Sequence, residues 1–158
     1  MRANKKKMAV AVAVAWAALW AGGCGEYTRD NPVDPRANGG MTLRDQLTDS
    51  WSRVEEGANE LYTFKSDGRV ERREFSSPTG GEVDRNAAFP LTRVRIYEGT
   101  FSLVGDQLEI YYTKASSNDT DDSVSVPPVP TTARITIRHQ TLTMAGSGGT
   151  TFYTRHTQ

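Results

Sequence analysis

The chain has 158 residues, and its Lys plus Arg and Asp plus Glu totals are equal at 19 each. A net charge of zero leaves no electrostatic footprint for nucleic acid, and none is expected as a partner. Hydrophobic residues make up 37% and aromatic residues 9%, which suits a small sheet protein with one wet face better than an α/β fold covered on both faces.

Residues 1–7 carry Arg2, Lys5, Lys6 and Lys7, and residues 8–20 follow as an uncharged run of Ala, Val, Leu and Trp. These are the n-region and h-region of an export signal. A spanning helix needs about 20 apolar residues, and this run breaks at Gly22-Gly23. Next comes Cys24, the sole cysteine. Ala21-Gly22-Gly23-Cys24 resembles the bacterial lipobox, in which the cysteine is acylated and becomes the mature N-terminus. A lone exported cysteine has no intramolecular disulfide partner, and acylation gives it a role. The expected organisation is a signal peptide over 1–23, a lipidated cysteine and flexible tether over 24–41, and a folded domain over 42–158. The address is the bacterial cell envelope, with a lipid anchor in a membrane. Gly25 after the cysteine favours the outer membrane by resemblance to enterobacterial sorting. Loss of the signal removes its four basic residues, so the mature chain is mildly acidic.

Residues 25–40 hold Pro32, Pro35 and glycines without any apolar period, and they read as a linker. At about 3.3 Å per extended residue it reaches up to roughly 50 Å. Asp30 and Asp34 within it read as part of a solvated spacer and not as a calcium site. Thr42 with Asp45 approximates a capping box, and Leu43, Leu47 and Trp51 fall at helical spacing, so one short helix begins near Leu43.

From there the chain alternates. Tyr62 and Phe64 lead into Asp67-Gly68, where the glycine takes a turn, and residues 69–75 return. Val70 on one face against Arg73 on the other marks that return arm as a wet or edge strand. Residues 76–88 read as a loop. Val94 and Ile96 then point one way, whereas Phe101 and Leu103 carry the opposite parity, which puts a bulge or bend at Gly99. Gly105-Asp106 turns the chain into Leu108, Ile110 and Tyr112. Residues 115–130, with Asp119, Asp121 and Asp122, read as a long solvated acidic loop. They lack the glycine and glutamate of a calcium loop. Ile135 and Ile137, then Leu142 and Met144, then Tyr153 complete the set. About eight sequential antiparallel strands close an up-and-down barrel with room for one small ligand.

Leu47-Thr48-Asp49-Ser50-Trp51, Tyr62-Thr63-Phe64-Lys65-Ser66-Asp67-Gly68, residues 97–110 and Thr151-Phe152-Tyr153-Thr154-Arg155 resemble the bacterial lipocalin-like lipoprotein domains. The resemblance implies an all-β, lipocalin-like barrel of about eight strands with one short N-terminal helix. It also implies a structural stack of Arg155 on Trp51, with Gly68 and Gly99 as structural glycines.

No catalytic constellation, metal site or cofactor is expected. His139 and His156 lack metal-ligand spacing, the adjacent Glu55 and Glu56 point apart, and Gly80-Gly81 and Gly148-Gly149 read as turns. The remaining candidate site is the barrel interior, formed by Tyr62, Phe64, Phe101, Leu103, Leu108, Ile110, Tyr112, Ile135 and Ile137. These side chains either fill the barrel or line a cavity for a small hydrophobic ligand. The first expected function is a non-enzymatic binding module in the periplasm or at its membranes. The second is a structural lipoprotein with a packed barrel, whose loops meet another envelope protein.

Overall fold

The computed structural model describes residues 40–55 and 58–156. The export segment, Cys24, the tether with Asp30 and Asp34, and Glu56 lie outside them.

The described chain begins with helix α1 (Leu43–Leu47). Its cap is reciprocal: Asp45 N–H donates to Thr42 Oγ1 at 3.1 Å, and Thr42 N–H donates to Asp45 Oδ2 at 3.1 Å. A helix this short has no stability of its own. It is held because Leu47 is fully buried and Gln46 nearly so.

Eight strands follow: β1 (Ser50–Glu55), β2 (Ala58–Phe64), β3 (Arg69–Ser76), β4 (Arg93–Val104), β5 (Gln107–Ser117), β6 (Thr131–Arg138), β7 (Thr141–Gly146) and β8 (Gly149–Arg155). Each pairs antiparallel with the next, and β8 returns to β1 through Trp51↔Arg155 and Ser52↔Thr154, closing the barrel. The all-β up-and-down barrel with one short helix, as expected from the alternation, is therefore the fold. Closure gives every strand two neighbours, and this corrects one expectation. β3 is paired on both sides, by β2 and by β4, so its charges do not mark an edge strand.

A second correction concerns parity. Arg95, Tyr97, Gly99, Phe101 and Leu103 keep one inward parity along all of β4, while Val94 and Ile96 face out. The register shift does fall at Glu98/Gly99, but the extra residue is Thr113 on the partner strand: Gly99 pairs with Tyr112, and Glu98 pairs with Lys114. Parity thus changes in β5, from Tyr112 to Ala115. Gly99 permits the bulge, since a Cβ there would lie 1.9 Å from the Tyr111 carbonyl oxygen. Val94 is apolar and half-buried although it faces outward. Its neighbour Phe75 also points outward and is buried, with the Arg85 guanidinium of the following loop 5.3 Å from its ring centre. β5 also runs on to Ser117, paired with Arg95, so the loop after it is 118–130, and the β3–β4 loop is 77–92.

The two ends of the barrel differ. At the base lie α1 and the tight β2–β3, β4–β5 and β6–β7 turns. Gly68 takes φ 87° in the first of these, where a side chain would be strained. Backbone bonds join each base connection to its neighbour. Phe64 N–H donates to Asp49 at 2.9 Å, Phe101 to Gly68 at 2.9 Å, Ile135 to Asp106 at 2.8 Å and Arg155 to Gln140 at 2.8 Å. Trp51 Nε1 donates to the Leu47 carbonyl at 2.9 Å, and the Arg155 guanidinium lies 4.5 Å from the Trp51 ring centre. Arg155 also donates to the Gln46 carbonyl at 3.0 Å and pairs with Asp49. Such a cation-π contact is worth about 0.5 to 2 kcal/mol and locks the base. At the opposite end, the mouth, stand the loops 77–92 and 118–130 and the β7–β8 turn.

Candidate functional site at the barrel mouth

All nine interior residues singled out from the sequence face inward, but the structure divides them by depth. Phe64, Leu108, Ile110, Ile135 and Ile137 join Trp51, Leu47 and Leu142 in one continuous buried cluster that fills the base. Phe101 packs edge-on against Phe64 at 5.2 Å between ring centres, and Leu103 is a partly buried flank of the same cluster. Tyr62 and Tyr112 sit above this layer. Tyr62 stacks on Phe64 at 5.6 Å and meets Tyr153 edge-on at 5.4 Å.

Above the tyrosines the interior turns polar. Arg72 shares the inward parity of Val70 and pairs across the ladder with Tyr62 and Tyr97. Its guanidinium lies 5.7 Å from both ring centres. One of its terminal nitrogens donates to Glu60 Oε1 at 2.5 Å and contacts Glu74 Oε1 at 2.7 Å. The other Glu60 oxygen accepts from the Tyr153 hydroxyl at 2.8 Å. Burial by itself would raise the Glu60 pKa. The charge and hydrogen bond of Arg72, with the Tyr153 bond, reverse this and hold it below the ordinary carboxylate value. Desolvation pushes the phenols of Tyr62, Tyr112 and Tyr153 up, so all three stay protonated donors at neutral pH.

The signal for this layer was present in the sequence. With Tyr62, Phe64 and Val70 inward, period-two alternation places Glu60, Arg72 and Glu74 inward as well. Hydropathy alone discards them, because a search for apolar faces stops where the face becomes charged.

The acidic loop is also not solvated in the way its composition suggests. Asp119 and Asp122 have side chains only 4% and 6% exposed. Asp119 accepts from Arg93 at 2.6 and 2.8 Å, and Asp122 accepts from Arg95 in a two-pronged pair at 2.7 and 2.8 Å. The hydrogen bonds from Arg95 are the main reason that the Asp122 pKa is lowered to about 2. Two inward or rim arginines of β4 therefore fasten the loop across the mouth. Arg85 fastens the other long loop, donating to the Arg53 carbonyl at 3.0 Å and to Asn59.

The ladder between β5 and β6 runs only from Gln107↔Arg134 to Ile110↔Thr131. From Tyr111 upward β5 has β4 on one side and no β6 partner on the other, and the wall is continued by the 118–130 loop. Val126 from this loop packs on the core. Beside it lies a cavity of about 410 Å³, between the end of that loop and the β7–β8 turn. Val129, Pro130 and Met144 give it apolar wall, and Tyr62 and Tyr153 line it with Thr131 and Thr151. Of the nine interior residues named from the sequence, Tyr62 alone lines it.

Among the described residues no group of three His, Cys, Asp or Glu side chains is placed to hold a metal ion. His139 occupies the β6–β7 turn with φ 53°, and His156 follows β8. The chain matches no family model and no curated protein.

Proposed function

We propose that this chain is an exported lipoprotein, acylated at Cys24 and held on a membrane of the bacterial envelope, whose lipocalin-like barrel receives a small amphipathic molecule at its mouth. The anchoring half of this reading rests on the basic n-region, the uncharged h-region and the small residues before Cys24. Acyl chains contribute about 0.8 kcal/mol per buried methylene, so a multiply acylated cysteine is a stable anchor. The Gly25 position favours the outer membrane.

One observation carries the binding half: the base of the barrel is filled, while the mouth leaves about 410 Å³ between an apolar wall and the side chains of Tyr62 and Tyr153. Small-molecule sites typically span about 300 to 1,000 Å³ and combine such walls with a few fixed polar groups. The role is binding and not catalysis.

The test has two parts. Growth with an alkyne-tagged fatty acid should label the wild-type chain and leave Cys24→Ser unlabelled; equal labelling of both overturns the anchor. The mature chain, residues 24–158 with Cys24→Ser and an ordinary secretory signal, is then examined by native mass spectrometry. A reproducible extra mass that is lost on solvent extraction supports the carrier reading. A bare mass that stays bare after incubation with envelope lipid extract overturns it.

The interaction reading draws on the exposed apolar side chains Val54, Leu91 and Val129 at the same end of the barrel. It predicts a specific crosslink to one envelope protein from those positions, with no bound small molecule.

A further inference from the structure

The polar layer beneath the cavity holds buried donors with unmet hydrogen-bonding capacity. Tyr62 lines the cavity yet is only 3% exposed. Its hydroxyl lies 3.4 Å from that of Tyr112, well beyond the roughly 2.7 to 2.8 Å of a well-formed bond between hydroxyls. Two hydroxyls bring two protons, and their single mutual contact uses at most one. Neither has another partner among the described residues. Burial keeps both phenols protonated, so the spare proton persists at neutral pH. Arg72 Nε is buried without an acceptor among the described residues as well. Both Glu60 oxygens, by contrast, are engaged: one accepts from Arg72 and the other from Tyr153. A buried unsatisfied donor costs stability, and a ligand that brings an acceptor recovers that loss on binding.

Charge decides which acceptor. Arg72 already faces two carboxylates, Glu60 and Glu74, and Arg95 is engaged by Asp122. One guanidinium against two carboxylates leaves the Arg72 group net negative, and Arg95 is neutralised by Asp122, so the mouth repels an anion. A cationic head group brings only donors, none of which can accept the spare proton of the Tyr62–Tyr112 pair.

Resting on the reading of the mouth as a ligand site, we infer that the ligand is a neutral amphipathic molecule whose carbonyl oxygen, from an ester, amide or ketone, accepts the proton that the Tyr112 bond leaves spare on Tyr62. Its apolar portion then lies along Met144, Val129 and Pro130.

Isothermal titration of the mature chain carrying Cys24→Ser with methyl octanoate, octanoate and octylammonium tests this at constant chain length. The ester should bind about tenfold more tightly than either ion, and Tyr62→Phe should weaken the ester about tenfold, the scale of one neutral hydrogen bond. Tyr111→Phe, on the exposed outer wall, should leave ester affinity unchanged. Equal affinity for the three probes, preference for either ion, or an unaffected Tyr62→Phe overturns the carbonyl assignment and leaves the mouth as a general apolar site. Absence of binding by all three overturns the mouth as a ligand site, and this inference with it.

Discussion

The two ends of this barrel are built from the same strands and the same alternation, yet different forces hold them. At the base, Leu47, Trp51, Phe64, Leu108, Ile110 and Leu142 are at most 1% exposed, and apolar burial with close packing sets stability. At the mouth, Arg72, Glu60, Glu74 and the tyrosines are held by geometry and charge, where each lost partner leaves another group unsatisfied. The contrast teaches where variation is tolerated. The base accepts changes that keep volume and apolarity, whereas the Arg72 cluster at the mouth accepts changes only when its paired members change together.

The largest expected effect lies at the base. Phe64→Ala should cost about 3 to 5 kcal/mol in urea unfolding, with the midpoint lowered for the whole barrel, because it opens a void against Tyr62 and Phe101. A cost below about 1 kcal/mol would show that the base is loosely packed and the contrast false. Gly99→Ala comes next, at about 3 kcal/mol, since its Cβ meets the Tyr111 carbonyl and the bulge must re-form elsewhere. Circular dichroism and the same urea titration measure it.

Arg72→Leu should cost about 2 kcal/mol, because Glu60 and Glu74 lose their shared counter-charge in a partly exposed site. The combined change with Glu60→Leu and Glu74→Leu should recover most of that loss. The sign with pH follows from Glu60. Its folded pKa is lowered, so its contribution is present above the ordinary value of 4.5 and is lost as pH falls through the folded value. Without Arg72 that contribution disappears, so the gap between wild type and Arg72→Leu should narrow as pH falls below about 4.5. A gap that widens on acidification would place the cost in packing instead of charge.

The smallest effect is local. Asp122→Asn should leave the unfolding midpoint nearly unchanged while speeding amide exchange across residues 118–130, because it releases the loop from Arg95. In wild type the same tie is present above the ordinary carboxylate value of 3.8 and is lost as pH falls through about 2. Loop protection that vanishes already near neutral pH would show that Asp122 does not hold the loop.

The base was legible in the sequence because apolar residues at period two are the strongest local signal a strand emits. Phe64, Phe101, Leu108, Ile110, Ile135 and Ile137 were all placed inward from that signal, and the Asp67-Gly68 and Gly105-Asp106 turns fixed the strand order. The mouth was less legible for a physical reason. Arg72 faces inward where it meets Glu60 of the adjacent strand β2 as well as Glu74 of its own strand, and the pairing with Glu60, twelve residues away, leaves no mark at short range. Val94 misled in the opposite direction: it is an outward position, paired with Phe75, whose own outward face is covered by Arg85 of the following loop. Asp119 and Asp122 look like solvated loop carboxylates until β4 supplies Arg93 and Arg95.

The backbone bonds that link the base turns make the barrel's motions directional. Phe101, Ile135 and Arg155 each donate their amide proton to a residue in a neighbouring connection, so no strand can leave the base without breaking a bond belonging to its neighbour. Opening there is shared by the whole circumference and should require global unfolding. The upper half of β5, from Tyr111 to Ser117, has β4 on one side only, so it can part from the 118–130 loop at far lower cost. Exchange protection should therefore fall from base to mouth along every strand and fall most steeply on β5. Thermal motion in this molecule should thus widen a side slot while the floor stays shut.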